Sequence, residues 1–443
     1  VSRIRKAAAA VAASAALTLL ASACTGQSTT SADDDASKDV TITFWHGWSS
    51  PGELKAINAN VARFEKAHPN IHVKVQGNIT DDKINQALRA GGSKAPDVVS
   101  SFTTDNVGQF CSSGTFADLA PFLHTSGIDP AATFPKPMLE YTQFQGKRCS
   151  LPLLGDAYGL YYNTKEFAAA GIKAPPKTLS EFTADAVKLT KSAGGSYAQL
   201  GFMPDFHGYE STPTHIAAQW GVKYFDADGK SQVAKDPGFA AMFTWQQEMV
   251  KALGGFSKLE RYRAGFGDEF GAKNPLHTGQ VAMGIDGEWR AGMAQDAGMK
   301  DLAVAPFPVP DDQADTYGKG YLSGTIIGIA NTSAKKNAAW ELVKFMATDT
   351  DAVVSFANAI HNVPSTLAAL RSPGLDQDPS FKTFLGIAQN PDSTTTPPSV
   401  NGGAYQVTLQ DFGYAYESGK SKDLTAGLQG VDKQVDKDIA QAK

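Results

Sequence analysis

Cysteine is nearly absent: there are three in 443 residues. That excludes a fold stapled by many disulfides and a cysteine-rich zinc site. Catalytic signatures are missing as well. The chain has no Gly-x-Ser-x-Gly elbow, no His-Glu-x-x-His, no Walker loop and no dinucleotide-binding glycine fingerprint. Its eight histidines are scattered without metal-ligand spacing, so no metal and no cofactor is expected. His68, His72 and His124 read as surface groups. Hydrophobic residues make up an ordinary 42% and mean hydropathy is −0.24, which excludes a multispan membrane protein. What remains is a chain long enough for a large core and more than one domain of usual size.

The first 23 residues differ from the rest. Arg3, Arg5 and Lys6 precede an apolar run, Ala7 to Leu20, and the small residues Ala21-Ser22-Ala23 precede Cys24. This is the pattern of a secretory signal, expected over residues 1–23 and outside the fold. A cysteine in that place resembles a bacterial lipobox, although Ala21 stands where Leu is commonest. The resemblance implies a diacylglycerol on Cys24, hence a protein held on the extracellular face of the membrane by a lipid anchor only; the alternative is a cleaved signal with an incidental cysteine. Residues 25–38 are rich in Ser, Thr and Asp, so residues 24–38 read as a flexible tether. Residues 1–23 hold three of the 40 Lys+Arg and none of the 45 Asp+Glu, which leaves 37 bases against 45 acids, a net of −8. An acidic exported chain is a poor nucleic-acid binder. In an oxidising exterior Cys111 and Cys149 are expected to pair, closing a loop of about forty residues with roughly 3–4 kcal/mol of stabilisation; the alternative is two separate buried thiols.

One apolar stretch of the mature chain stands out, Leu151 to Phe167. It is too short and too aromatic for a membrane span and reads as a buried strand. One carboxylate, Asp156, stands among its apolar residues, and burying it is costly unless it is hydrogen-bonded. At its end Asn163 can cap a helix, with Glu166 as reciprocal partner. Two readings of the stretch stay open at this point: a core strand with a solvated Asp at its edge, or a strand that crosses between two lobes and presents Asp156 to a ligand. Before it, Val40–Phe44, Ile71–Val75 and Pro96–Val99 read as strands. Between them Ser50-Pro51-Gly52-Glu53 opens a helix with Leu54, Ile57, Val61 and Phe64 on one face, and Asp81–Ala90 is helical. Strand–helix–strand–helix–strand signals a parallel α/β layer. After it, Thr178 and Glu181 open a helix, Phe239–Leu253 is helical, and Leu276–Met283 is helical or mixed. Val281–Ile285 and Gly324–Ile329 are strands, Asn337–Met346 is a helix, residues 393–403 form a long loop and Val431–Ala442 is a terminal helix.

Aromatic residues recur beside carboxylates or amides where strands end: Trp45 to Ser49, Phe102 to Asn106, Asp156 with Tyr158, Asp205 to Glu210, Gln219-Trp220, Asp286 to Trp289, and Tyr405-Gln406. In open α/β sheets ligands sit beyond the carboxyl ends of strands. A sugar ring asks for this mixture, since its C–H faces pack on flat rings and its hydroxyls take paired hydrogen bonds. In order, Thr43 to Gly47 with the following helix and strand, Ala95-Pro96-Asp97-Val98-Val99, Asp156 to Phe167, Ile216 to Gly229, Gly284 to Met293, Tyr321 to Ile329, and Trp340 to Met346 before Pro364-Ser365 resemble the extracellular solute-binding proteins of bacterial ABC importers, the family that includes maltose- and oligosaccharide-binding proteins.

That resemblance covers nearly all of the mature chain. It implies an α/β, two-lobe periplasmic-binding-protein fold (type II, maltose-binding-like) with a hinge of two or three crossing segments. The expected lobes are residues 39–155 plus 324–364 and residues 156–323 plus 365–443. It implies a binding protein, not an enzyme: a monomer that captures a carbohydrate, expected to be an oligosaccharide, in the interlobe cleft and delivers it to a membrane permease. Position by position, Asp156 matches a carboxylate that bonds sugar hydroxyls, Trp289 a stacking ring, and Tyr405 lies beside another platform. The candidate ligand-binding residues are Trp48, Ser49, Asp105, Asp156, Tyr158, His207, Tyr209, Trp220, Glu288, Trp289, Ser323 and Tyr405. Two departures stand out: Ser100-Ser101 where some relatives carry an aromatic, and Trp220-Gly221 where some carry Gly-Gly. Two alternatives remain. One keeps the fold with a glycerophosphodiester or polyol as ligand, Arg290 and Lys319 being the nearest bases. The other is a secreted glycoside hydrolase, which needs two carboxylates facing one bond.

Overall fold

The structure is a computed structural model and describes residues 35–206, 208 and 210–442. The expected signal segment, Cys24, His207 and Tyr209 lie outside the described residues.

Local sequence chemistry sets the first elements. Strand β1 (Val40–Trp45) alternates in burial, as its pattern asks. The helix Pro51–Ala67 starts at Ser50, whose side chain accepts from the Glu53 N–H while the Glu53 side chain accepts from Ser50, a complete capping box. Its inner face buries Ile57, Val61 and Phe64. Strands β2 (Ile71–Gln76) and β3 (Val98–Ser101) both pair parallel to β1. Helix Thr178-capped Leu179–Leu189 repeats the capping box with Glu181. At Asn163 the reciprocal bond does not form: the Asn163 side chain caps the next helix, and Glu166 turns instead to Lys191.

The element that organises the molecule is β4 (Leu151–Asn163), one strand that belongs to two sheets. The remaining strands are β5 (Lys191–Ala193), β6 (Ser196–Phe202), β7 (Val281–Gly287), β8 (Leu302–Ala305), β9 (Leu322–Ile329) and β10 (Val363–Pro364). The order across the sheets is β2-β1-β3-β9-β4-β7-β6-β5, with β8 and β10 also on β4. Leu151 to Ala157 pairs antiparallel with β9, while Tyr158 to Asn163 pairs antiparallel with β7 and, in part, β8. The strand changes partners between Ala157 and Tyr158. There Gly155 faces both Gly324 of β9 and Val363 of β10, so three segments meet at one residue. A side chain on Gly155 would collide with Met138, which packs against it from the helix Lys136–Tyr141.

Two buried clusters fill the molecule. One lies among β1, β3, β9, the start of β4 and the helices Pro51–Ala67, Lys336–Thr348 and Thr350–Ile360, with Phe44, Phe64, Leu151, Leu342 and Phe356 inside. The other runs from Phe110 and Tyr141 through Tyr158 and Tyr161 to Phe182, Phe243 and Leu409. It passes through the crossing strands without a break. Cys111 and Cys149 form a disulfide with Cα atoms 5.5 Å apart, tying the helix Asn106–Ser113 to the start of β4.

Candidate ligand-binding cleft

The site grows out of the partner switch in β4. Asp156 is the last polar residue before the strand changes sheets, and it pairs in register with Ser323 of β9. Glu288 follows β7, is 2% exposed, and accepts the Ala157 N–H at 2.9 Å through Oε2. Asn362, one residue before β10, donates through Nδ2 to Asp156 Oδ1 at 2.7 Å and to Glu288 Oε1 at 2.8 Å. One amide thus bridges two carboxyls drawn from different parts of the chain. Burial pushes Asp156 up to about 6, against the pull of its bonds to Asn362 and Glu288, and raises Glu288 well above the carboxylate range, with the Asp156 charge adding to the rise. The pair therefore holds a proton that an isolated carboxylate would lose, as expected for two acids sharing one place.

Aromatic side chains wall this pair. Tyr158 stands edge-on to Trp289, centroids 5.6 Å apart, and 4.3 Å from His215, which in turn stacks on Tyr321 at 4.5 Å. Gly287 explains the Gly-x-Trp pattern. A Cβ there would lie 2.2 Å from the Trp289 indole, so only glycine lets the ring fold over the strand end. Burial depresses His215 to about 4, and its Nδ1–H donates to the Glu210 carbonyl at 2.7 Å, which fixes a neutral ring with its proton on Nδ1. Burial, reinforced by the charge of Asp286, pushes Glu210 up to about 8.

A second contact closes the rim. Asp105, at the start of the helix Asn106–Ser113, accepts from Gln406 Nε2 at 2.5 Å, and Gly403 leaves room for its carboxyl. Three residues before Asp105, Phe102 is 47% exposed, with its ring edge-on to Trp48.

The expected residues fall into three groups. Asp156, Tyr158, Glu288, Trp289 and Ser323 come together, and Asp105 stands near enough to Tyr321 that burial and then its charge hold that hydroxyl protonated. Trp48 is 3% exposed and edge-on to Phe102 and Phe356; Ser49 is exposed, and its backbone N–H donates to the Glu53 carboxylate. Tyr405 is buried between Tyr224 and Phe225 with its hydroxyl on the Pro397 carbonyl, behind the cleft wall. Trp220 packs beside Trp245 in an outer groove lined by Leu179 and Asp236, away from the crossing strands. His215 and Asn362 were not among the expected residues. Asn362 carried one signal, an amide just before the Val363-Pro364 segment; nothing in sequence separates His215 from a surface histidine.

The two bases are accounted for. Arg290 is fully buried and its Nε donates to Asp286 Oδ2 at 2.6 Å. Lys319 is 4% exposed and donates to Gln313 at 3.0 Å. The residues gathered at the partner switch are therefore acids, amides and rings.

Residues 59–383 match the pattern of the bacterial extracellular solute-binding proteins. The chain belongs to that family. Among relatives of this solute-binding protein, the maltotriose-binding protein of Pyrococcus abyssi is 22% identical over 79% of this chain and 72% of its own. An uncharacterized ABC transporter extracellular-binding protein of Pyrococcus horikoshii is 23% identical over 94% of this chain and 92% of its own. The solved sugar-binding protein MalE of Xanthomonas citri superposes with a TM-score of 0.76 at 21% identity, over 91% of this chain and 98% of that one. The fold is thus the mixed α/β, two-lobe fold of MalE-like proteins. Among the described residues no helix is long and apolar enough to cross a membrane.

Proposed function

We propose that this solute-binding protein captures a carbohydrate, an oligosaccharide in the fullest reading, between two lobes and hands it to an ABC permease. The lobes are residues 39–155 plus 324–364 and residues 156–323 plus 365–443, with a lipid on Cys24 as the only membrane anchor and the chain acting as a monomer without catalytic activity. The observation that carries this reading is the Asp156–Asn362–Glu288 bridge flanked by Tyr158 and Trp289. Sugar hydroxyls can replace Asn362 as donors to the carboxyls while the rings take the C–H faces. The maltotriose named for one relative and the sugar named for MalE fit the same chemistry. Ligand that bridges both lobes stabilises the closed state by its differential affinity.

The alternatives fare less well on the same geometry. Asp156 and Glu288 both accept from the Asn362 amide nitrogen, at 2.7 and 2.8 Å, so an amide rather than a glycosidic bond stands between them. An anionic phosphodiester would meet carboxyls, while Arg290, with its Nε on Asp286, is fully buried.

The test is a thermal-shift screen of the mature chain against mono- and oligosaccharides. A ligand of the folded state adds about 2.7 kcal/mol at a hundred times its dissociation constant. A shift with one sugar series supports the reading. A shift only with a phosphodiester overturns the ligand, and shortened oligosaccharides after incubation overturn the class.

A further inference from the structure

On the flank of the cleft lies a separate groove of about 400 Å³. Two hairpin tips face each other across it. One is Phe144–Lys147, closed by mutual backbone hydrogen bonds of 2.9 and 3.0 Å, with Gln145 and Gly146 both at positive φ as a two-residue turn of this hand requires. The other is Phe225 to Ser231, whose turn is held by Asp226 accepting the N–H groups of Asp228 and Lys230. Both walls are therefore rigid before any ligand arrives. The floor is the loop Thr395 to Val400, which brings Pro397 and Pro398 to the surface of the groove.

Three features point to a ligand. Phe144 and Phe225 offer rings from opposite sides. Gln143, Gln145 and Asp228 offer amides and a carboxylate beside them. Thr395 lines the groove, is 8% exposed, and its hydroxyl has no hydrogen-bond partner among the described residues. A buried hydroxyl without a partner is costly, so the groove floor at Thr395 has a hydrogen bond to gain if the floor opens to a ligand. The volume lies within the range of small-molecule sites, which begins at about 300 Å³.

We propose that this groove is a second carbohydrate site, distinct from the cleft. Tyr405, bonded to the Pro397 carbonyl, and the Asp105–Gln406 contact stand between the two. The walls come from opposite sides of the crossing strands, so a sugar here bridges the same two bodies as a sugar in the cleft. Its floor also touches the cleft, because Thr396 bonds the Tyr321 hydroxyl at 3.0 Å. This inference rests on the carbohydrate reading of the protein, and site-specific reporters separate the two.

The experiment is titration of the mature chain with maltotriose and with mannobiose, followed by calorimetry and by the amide signals of Gly146 and Gly229 for the groove and the Trp289 indole for the cleft. The expected result is two sugars per chain. Thr395→Val, which keeps the side-chain shape, weakens the second by fivefold or more and leaves the first within twofold. Trp289→Ala weakens the first at least tenfold and leaves the groove signals responsive. Groove signals that stay still at saturating sugar, or a Thr395→Val chain that binds both sugars unchanged, overturn the proposal. A silent Trp289 indole with responsive groove signals overturns the cleft reading instead.

Discussion

Asp286 and Glu288 sit two residues apart at the end of β7, and they meet burial in opposite ways. Asp286 has a guanidinium: Arg290, one helical turn on, is fully buried against it. Glu288 has no cation. Burial and the Asp156 charge hold its carboxyl well above the usual range, and it takes one hydrogen bond from Asn362 and one from the Ala157 backbone. The first solution is fixed, because removing either partner strands a charge in the core. The second is exchangeable, because an amide or a hydroxyl can come and go without leaving a net charge behind. The first supports the strand end that carries Trp289. The second is placed where a ligand can compete for it.

The comparison can be broken from either side. The largest effect is expected for Arg290→Met, which leaves Asp286 buried without its cation and costs about 3–5 kcal/mol, read by urea unfolding. A loss no greater than that of Asn362→Ala would erase the distinction between the two solutions. Asn362→Ala itself is expected to cost about 1–3 kcal/mol, since two acceptors lose one donor. Trp289→Ala is expected to weaken sugar binding at least tenfold, about 1.4 kcal/mol, with the unfolding midpoint little changed; full affinity in that variant would take the indole out of the site.

The pair also has a pH signature. Asp156 is raised from 3.8 to about 6, so the folded state holds a proton that the unfolded state releases. Its contribution to stability is complete below pH 3.8 and is lost as pH rises through about 6. Asp156→Asn should flatten that slope in pH-dependent unfolding. The smallest effect concerns Glu417, where burial raises the carboxyl to about 8 although it accepts from Gln246 and the Phe206 N–H. Glu417→Gln keeps an acceptor oxygen and should make the chain slightly more stable above pH 8 by thermal unfolding, with no change near pH 5.

Much of the fold was legible because it is written locally. Ser50 and Glu53, or Thr178 and Glu181, carry their own capping boxes, and the apolar run from Leu151 shows a buried strand without help from elsewhere. The chemistry of the cleft was half legible for the same reason. Asp156 and Trp289 lie in patterns of their own, whereas the bridge needs Asn362, more than two hundred residues from Asp156, and no local pattern marks that pairing. Trp48, Tyr405 and Trp220 show the limit of that pattern. An aromatic beside a polar residue looks the same in sequence whether its ring faces a ligand, a neighbouring ring or solvent, and only the packing of Phe356, Phe225 and Trp245 tells them apart.

β4 has a consequence for how the molecule comes apart. A strand shared by two sheets cannot leave one and stay in the other without exposing the backbone groups of both. The buried cluster that runs through Tyr158 and Tyr161 adds side-chain contacts on either side of the switch. Heating should therefore melt the chain in one cooperative transition, with the calorimetric enthalpy equal to the van't Hoff enthalpy, although it is built as two bodies.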